Sequence, residues 1–348
     1  MVYIQAATQI SAQAPLSDEW FDAPVYHDTK KALSNDPNFA DYLSPIMSRR
    51  MCNLLKRAIV TSRLTLQKAS VEMPDAIISG TGLGCIENTE KFLYSIWENK
   101  EKCLQPSFFM QSTHNIISSA IAIDLKCHGY NNTYVHRGTS FENALLDALI
   151  QFKQQKIHSA LVGGYEELTP DYYIFFDRIG IWNFSKQDMS NPKTKCFAGE
   201  AAVSMLLHTE KNEHTLCEVN GVEIMYRPST EQIGHALDAL LSQAGCLLSD
   251  IDAVMVGTNG NSANDAIYDS IVPQLFDRLP VMQYIHLFGQ SFISPALGAY
   301  TASICLHRQL IPAHLLTDRE ESISPVKRIL LYNHSQNKSH SIILLSRC

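Results

Sequence analysis

The chain repeats parts of its own sequence at an interval of about half its length. Residues 74–84 read PDAIISGTGLG and residues 251–261 read IDAVMVGTNGN, so both carry Asp-Ala before an apolar run and Gly-Thr after it. The two segments are 177 positions apart in a chain of 348 residues. A second pair recurs at nearly the same offset, QSTHNIISSAIAI at 111–123 and GQSFISPALGAYTASI at 289–304. Two matches in register predict a duplicated α/β fold in which each half alternates strands with helices.

Apolar runs and helical periodicity predict the same kinds of element in both halves. The runs that predict strands are AIISG, TYVHR, SALVGG, AVSMLL and CEVNGVEI in the first half and its junction, and DAVMVG, VMQYIHL, RILLYN and SIILLS in the second. Helical patterns cover about 45–70, 88–98, 112–126, 139–155, 231–245, 264–277 and 292–308. We therefore expect an N-terminal half at 1–210 and a C-terminal half at 211–348, with residues 183–196 as a loop.

Composition excludes several classes of function. A hydrophobic content of 45% with a net charge of −7 is typical of an ordinary globular protein and argues against nucleic acid as the main partner. No apolar stretch approaches the ~20 residues that span a bilayer, so we expect no membrane insertion. The nine cysteines include no CxxC and the start MVYIQAATQIS does not resemble an export signal, which predicts a reducing, cytoplasmic setting. The histidines show no HxH or HExxH spacing, and we expect neither a metal nor a cofactor.

A predicted strand, a short polar turn and an amphipathic helix follow one another in YVHRGTSFENALL, residues 134–146. Thr139 and Glu142 form a capping-box pattern, which predicts that the helix begins at the turn. Enzymes often place a nucleophile at such a helix N-terminus, but the apex of this turn, Arg137-Gly138-Thr139, has no Cys and no Ser. The apolar positions of the helix recur at i, i+3, i+4 and i+7: Phe141, Ala144, Leu145, Ala148, Leu149 and Phe152.

Several motifs, in order along the chain, resemble those of the β-ketoacyl synthases, the condensing enzymes of the thiolase fold. PSFFMQSTHN (106–115) is similar to the family's PFF-x-PST segment, and GGYEE (163–167) to its Gly-Gly-x-Glu strand end. CFAGEAAVSMLL (196–207) resembles a family strand pair, and IPAHLLTD (311–318) resembles a family turn. The resemblance implies a thiolase-like fold, with two duplicated α/β halves in a layered α-β-α-β-α arrangement.

The catalytic residues that the resemblance implies are absent from the matching positions. The family uses one Cys and two His residues, and here these positions hold Gly138, Gly257 and Gln290. Asp265 of the first His motif is kept, while His286 stands where the second His motif has Lys. The family's glycine-rich loop is matched by NHSQNKSHS (333–341), which keeps Asn333 and loses the glycines. We therefore expect no catalytic residues of the family type.

Three residues near the elbow or beside glycine-containing turns have side chains that could replace the missing nucleophile: Ser140, Cys85 and Cys127. Ser140 could act only with a positioned base, and the nearest candidate is His136. We expect Ser140 to lie in the first turn of the helix and His136 to be a buried strand residue. Cys85 and Cys127 lie beside glycine-containing turns, and we expect both to be structural.

A ketosynthase-like chain without catalytic residues resembles the chain-length factors of type II polyketide, aryl-polyene and flexirubin-type systems. This resemblance implies a heterodimer with an active ketosynthase and an acyl carrier protein that bears the growing chain. The family dimerises through the strand before the elbow and through the PFF-x-PST segment. Two other interpretations stay open, an acyltransferase with a different nucleophile and a homodimeric scaffold that is not an enzyme. The residues expected to form the tunnel or the dimer interface are Phe108, Phe109, Met110, Gln111, Thr133, Val135 and Phe197.

Overall fold

The computed structural model describes residues 1–27, 29–49, 51–182, 198–317 and 320–348, and ten strands of this part of the chain form one mixed sheet. Two further short strands, β2 and β6, pair in parallel beside it. The strands are β1 (Tyr3–Ile10), β2 (Lys31–Ala32), β3 (Ala76–Gly80), β4 (Tyr130–Tyr134), β5 (Ser159–Glu166), β6 (Ala198–Gly199), β7 (Ala201–His208), β8 (Cys217–Tyr226), β9 (Ala253–Val256), β10 (Val281–Gln283), β11 (Arg328–Ser335) and β12 (Ser339–Ser346).

Helices connect the strands and cover the sheet. Each parallel connection contains a helix, as parallel strand pairing requires. The helices are α1 (Pro45–Ser48), α2 (Asn53–Ala69), α3 (Ile86–Glu98), α4 (Pro106–Ser112), α5 (Ile116–Leu125), α6 (Ser140–Lys153), α7 (Pro170–Arg178), α8 (Thr230–Ala244), α9 (Ser262–Leu275), α10 (Ile285–Phe288) and α11 (Ser294–Arg308).

The sheet repeats one topology twice. Its order is β10-β9-β11-β12-β8-β1-β7-β5-β3-β4. From the centre outward, β1, β7, β5, β3 and β4 of one half correspond to β8, β12, β11, β9 and β10 of the other. The outer pairs are parallel in both halves, and the inner pairs are antiparallel. The halves join where Tyr3 and Ile4 of β1 face Glu218 and Cys217 of β8.

Side chains that alternate along the strands divide the interior into three apolar cores. On β3, Ala76 and Ile78 face a central core that also holds residues of α6 and α11, whereas Ile77 faces an outer core with α2 and α5. On β11, Leu331 faces the central core and Leu330 faces the second outer core, under α8 and α9. Successive side chains of a strand point to opposite faces. The arrangement is therefore α-β-α-β-α, which confirms the predicted fold class.

The N-terminal segment contains the largest difference from the sequence-based expectation. β1 lies at the centre of the sheet and all eight of its residues are buried, although no strand was predicted there.

The predicted strand TYVHR is displaced, since β4 ends at Tyr134 and His136 is exposed rather than buried. The predicted strand VMQYIHL is also wrong in its second part, because β10 ends at Gln283 and α10 begins at Ile285. Whether the division at residue 210, between β7 and β8, separates two domains stays a prediction.

Among the described residues, no helix combines the length and the apolar character needed to cross a bilayer.

The first turn of α6 packs against the end of β3 at Gly80, and this contact can be tested by mutation. A Cβ at Gly80 would lie 2.6 Å from backbone atoms of Ser140 and Phe141. We expect Gly80→Ala to lower the free energy of unfolding by about 1–3 kcal/mol, because the helix backbone must move to admit the methyl group. Urea denaturation monitored by circular dichroism measures this change.

Gly234 on α8 is the matched control for this substitution. A Cβ there would make ordinary contact, 3.5 Å from Leu275 Cδ2. Gly234→Ala should keep or raise stability by up to about 1 kcal/mol, since alanine favours the helix. Equal stabilities of Gly80→Ala and Gly234→Ala would contradict the importance of the helix–strand contact.

Candidate functional site

A cavity of about 340 Å³ brings together the positions at which the sequence comparison expects catalytic residues. Gly138 comes from the turn before α6, Gly257 from the end of β9, and Gln290 from the loop before α11. Asn333 and Ser335 of β11 line the same cavity. Parts of the chain that are far apart in sequence thus converge at one site, between the central helices and the ends of the strands.

The elbow before α6 is held by hydrogen bonds to the Ser140 hydroxyl. Its Oγ accepts a hydrogen bond from the His136 backbone N–H (2.8 Å) and lies within donating distance of the carbonyl oxygens of Thr81 (2.8 Å) and Arg137 (2.7 Å). Ser140 is fully buried. The hydroxyl therefore joins three backbone segments, as expected for a helix first-turn residue, and it has no access to a substrate.

The capping box predicted at the start of α6 is wrong. The Thr139 side chain donates to the His136 carbonyl oxygen instead of capping the helix. A short 3-10 turn over Arg137–Thr139 precedes α6. Glu142 is buried, and its Oε1 accepts a hydrogen bond from the Ser341 hydroxyl at 2.7 Å.

The space next to two of the vacated positions is filled by other side chains. A Cβ at Gly138 would lie 2.5 Å from Ser335 Oγ. A Cβ at Gly257 would lie 2.7 Å from the Tyr268 hydroxyl oxygen and 2.9 Å from Asn333 Oδ1. Separations below 3.0 Å require the neighbouring group to move. A Cys or a His at these positions would therefore not fit the cavity as it is built.

Gln290 and Asp265 both accept hydrogen bonds from the loop between β9 and α9, at the cavity wall. Gln290 Oε1 accepts a hydrogen bond from Asn259 Nδ2 at 3.3 Å. The Asp265 carboxylate accepts hydrogen bonds from the backbone N–H groups of Asn259 (2.9 Å) and Gly260 (2.8 Å). Asp265 thus shapes the loop between β9 and α9 and does not line the cavity. His286 is buried outside the cavity, and its ring stacks with that of Tyr26.

His334 lines the cavity and was missed by the motif comparison, in which only Asn333 was matched. Its Nε2 donates to the carbonyl oxygen of Asn264 (3.0 Å), because a carbonyl can only accept. Its Nδ1 accepts from the Asn337 backbone N–H (3.3 Å). Burial lowers the pKa of His334 to about 4. The ring is therefore neutral, and both nitrogens are engaged, so that it is not placed to act as a general base.

The chemistry of the cavity lining is that of a neutral, amide-rich binding site. Asn333 Oδ1 accepts a hydrogen bond from the Tyr284 hydroxyl at 3.0 Å, whereas Asn333 Nδ2 has no hydrogen-bond partner among the described residues. The part of the lining that the structure describes contains no Cys, no carboxylate, no Lys and no Arg. Such a site can bind neutral polar groups, but it has no activated nucleophile. The amide side chains of the lining are Asn259, Asn261, Asn264, Gln290, Asn333, Gln336 and Asn337.

The other sequence-predicted residues lie away from the cavity. Cys127 is buried, and its thiol donates to the Pro74 carbonyl oxygen; Cys85 is buried beside Cys52. β4 is the last strand of the sheet, so that Thr133 lies at a sheet edge and Val135 directly follows it. Phe197 lies outside the described residues. The remaining interface candidates, of which Phe109 and Met110 are well exposed, all belong to α4: Phe108, Phe109, Met110 and Gln111.

The contact between Gly138 and Ser335 leads to a double-mutant prediction. Gly138→Ala should lower the free energy of unfolding by about 1–3 kcal/mol because its methyl group collides with the Ser335 hydroxyl. Ser335→Gly should restore most of that loss in the double variant, since the two positions share one space. Gly257→Ala collides with Tyr268 instead, so its loss should simply add to the effect of Ser335→Gly. Additivity at Gly138 would contradict the packing described.

Glu142 predicts a pH dependence of stability. Burial raises the pKa of Glu142 from 4.5 to about 7 in the folded protein. At a pH between 4.5 and about 7 the folded protein keeps the Glu142 proton, whereas the unfolded chain releases it. The contribution of Glu142 to the free energy of unfolding is therefore complete below pH 4.5 and is lost as the pH rises to about 7. Glu142→Gln should therefore gain stability relative to the wild type as the pH rises from 5 to 8, by about 2–4 kcal/mol.

Urea denaturation at several pH values measures this difference. Glu231→Gln in the exposed first turn of α8 removes the same charge and should leave the pH dependence of the wild type unchanged. A Glu142→Gln variant whose stability follows the wild type at every pH would contradict the buried, protonated state.

Comparison with known proteins places these observations in a family. A family model of the β-ketoacyl synthase N-terminal domain matches residues 20–245. A comparison with curated proteins finds no significant match. The ishigamide ketosynthase/chain length factor has a similar fold, with a TM-score of 0.82 at 15% identity over 100% of this chain and 99% of that chain.

Two further solved structures are similar over the whole chain. A ketosynthase in complex with its chain length factor from Xenorhabdus doucetiae gives a TM-score of 0.81 at 15% identity, covering 100% of this chain and 98% of that chain. A type II polyketide synthase acyl-carrier protein in complex with its ketosynthase gives 0.79 at 14%, covering 100% and 99%. At 14–15% identity the solved structures establish only a shared fold. The family model matches more than half of the chain, and this match establishes the family. The chain belongs to the β-ketoacyl synthase family and has its thiolase-like fold.

Proposed function

We propose that the chain is a non-condensing, ketosynthase-like subunit of the chain-length-factor type. In this role it pairs with an active β-ketoacyl synthase, completes the acyl tunnel and limits the length of a polyketide or fatty-acyl chain carried by an acyl carrier protein. The observation that carries the proposal is the closed space beside Gly138, where Ser335 Oγ would lie 2.5 Å from any Cβ. A family member that cannot place a nucleophile at the elbow needs a partner for condensation.

The hydrogen bonds around the cavity support the same conclusion. The two hydroxyls that follow Gly138, those of Thr139 and Ser140, are buried and bonded to the backbone. A serine nucleophile needs an adjacent base, and the one histidine in the described cavity lining, His334, uses both ring nitrogens in other bonds. Covalent acyl transfer by this chain alone therefore lacks its two basic requirements.

The edge of the sheet offers a surface for the partner. β4 is the terminal strand of the sheet, and an edge strand presents backbone N–H and C=O groups that a second chain can pair with. The helix α5 packs against β4 and also contacts α4. The helices α3 and α4 pack together and expose the apolar side chains of Trp97 (77%), Phe109 (57%) and Met110 (65%). Aromatic residues and Met are enriched in protein interfaces. The surface formed by β4, α3 and α4 is called the edge face below.

The similar structures are consistent with this partner. One contains a ketosynthase with its chain length factor, and another contains an acyl-carrier protein with its ketosynthase. By analogy, the proposed heterodimer places Phe108, Phe109, Met110, Gln111, Thr133, Val135 and Phe197 at the interface or the tunnel. The proposed setting is the cytoplasm, where carrier-protein-dependent synthesis would supply the acyl chain.

The pairing predicts that single charges on the edge face prevent assembly. The partner in this test is a tagged ketosynthase that carries the intact Cys-His-His set and whose gene lies nearest to the gene of this chain. We expect the two proteins to co-purify in equal amounts when they are co-expressed. Val135→Glu and Met110→Glu should reduce co-purification by about tenfold or more, because each buries a charge in an apolar interface. Leu247→Glu changes a residue that is about as exposed as Met110 but lies between α8 and β9, and it should have no effect.

Activity assays distinguish the three functional interpretations. The complex should elongate malonyl-carrier substrate, and the isolated chain should not. Condensation by the isolated chain that Ser140→Ala abolishes, or a covalent acyl adduct on it found by mass spectrometry, would establish an enzyme with a different nucleophile. A chain that purifies alone and leaves the product of the ketosynthase unchanged would be a homodimeric scaffold.

A further inference from the structure

Sulfur and carboxylate groups from three distant segments meet in the first half of the fold. Cys52 precedes α2, Glu87 lies in the first turn of α3, and Glu167 follows β5. Cys52 Sγ and one carboxylate oxygen each of Glu87 and Glu167 lie within 4.8 Å of one another. The thiol of Cys85, directly before α3, donates a hydrogen bond to the Cys52 sulfur. These four residues are called the thiol–carboxylate cluster.

The cluster places acidic groups in a buried position. Cys52, Cys85 and Glu167 are buried, and the Glu87 side chain is half-buried. Lys91 pairs with Glu87 Oε1 at 2.5 Å, but Glu167 makes no ion pair among the described residues. Its Oε1 accepts a hydrogen bond from the Glu87 backbone N–H at 2.8 Å. One ammonium group thus stands beside two carboxylates and a thiol, and a buried carboxylate without a counter-ion is unfavourable.

We infer that Cys52, Glu87 and Glu167 form a binding site for a divalent transition metal, best matched by Zn²⁺, with Cys85 as a hydrogen-bond donor to the Cys52 ligand. Three protein ligands with an open fourth position are a common zinc arrangement. Tetrahedral zinc at its usual bond lengths holds its ligand atoms about 3.5 Å apart, so the ligands must move by roughly 1 Å. Carboxylate side chains can supply that movement by rotation.

The donor set selects the type of metal. Thiolate is a soft ligand that suits zinc and does not suit Mg²⁺ or Ca²⁺, which prefer oxygen ligands only. The Cys52 sulfur accepts hydrogen bonds from the backbone N–H groups of Leu54 and Leu55, at the N-terminus of the 17-residue helix α2. Such donors stabilise the thiolate, which is the form that binds metal. The elements α2, α3 and β5 would be linked by the bound ion.

Cobalt substitution tests the site on the isolated, full-length chain. All variants carry Cys103→Ser and Cys348→Ser, because these exposed thiols could bind metal by themselves. The reduced, chelator-treated protein is titrated with Co²⁺ and then with Zn²⁺. We expect one equivalent of Co²⁺ with a thiolate-to-cobalt charge-transfer absorption, its displacement by Zn²⁺, and a rise in Tm on zinc binding.

Variants identify the ligands. Cys52→Ser should lose the charge-transfer absorption, and Glu167→Gln, which keeps the shape of the side chain, should lose the rise in Tm. Cys85→Ser should weaken binding by about 10–100-fold, as expected for a residue that bonds to a ligand. Cys127→Ser removes another buried thiol from the same apolar core and should bind like the parent protein.

Three results would overturn the proposal. The first is the absence of thiolate-to-cobalt absorption in the parent protein, and the second is an equal loss of binding in Cys127→Ser. The third is a Cys52–Cys85 disulfide, seen by mass spectrometry as the loss of two hydrogens, in protein prepared with excess zinc. That result would assign the cluster to redox chemistry. None of these outcomes depends on pairing with a ketosynthase.

Discussion

The contact between the first turn of α6 and the end of β3 positions the elbow of the candidate site. It is possible because Gly80 has no side chain, so that the helix backbone lies where a Cβ would be. The Ser140 hydroxyl then bonds to backbone groups on both sides of the contact. The Glu166 carboxylate holds the following loop by accepting from the N–H groups of Gly82 and Leu83. These contacts involve none of the three positions at which the family has its catalytic residues, so they do not require a nucleophile at the elbow.

Two of the three vacated positions are packed closely against other side chains, although all three border the cavity. The Ser335 side chain fills the space beside Gly138, and the Tyr268 hydroxyl fills the space beside Gly257. Protein interiors are close-packed, and an empty volume of side-chain size would be unfavourable. The serine stands in the loop that is glycine-rich in active family members. A cysteine at position 138 would therefore require the Ser335 side chain to move.

The sequence predicted the parts of the fold that depend on periodicity. The strand AIISG and the helices α6 and α11 follow directly from alternating or helical apolar patterns. β1 escaped prediction because Gln5, Thr8 and Gln9 interrupt its apolar pattern, although all three are buried. The Gln5 and Gln9 side chains donate to backbone carbonyl oxygens of Glu210 and Ala14, and such partners are visible only in the fold.

In the candidate site, too, the features that depend on neighbouring residues were predictable from the sequence, and those that depend on distant residues were not. Gly138, Gly257 and Gln290 line one cavity. This was predictable because each lies in a short motif, and the motifs follow one another in the same order as in the family. The role of Glu142 was predicted wrongly because a capping pattern considers only neighbouring residues, whereas Glu142 bonds to Ser341, which is 199 positions away in the sequence. The thiol–carboxylate cluster has no local spacing at all, since its members come from three segments. A search for metal motifs in the sequence therefore could not find it.

The edge of the sheet and the wall of the cavity meet at the elbow, and this arrangement gives a reason why the elbow is retained. β4 forms the edge of the sheet, and only Val135 and His136 separate it from the turn that carries Gly138 into the cavity. A change in the turn would move the edge strand, and a partner bound at the edge would in turn fix the position of the cavity wall. Under the proposed function, selection for pairing alone would preserve the strand, the turn and α6. The geometry of a catalytic elbow would then survive as the geometry of an interface.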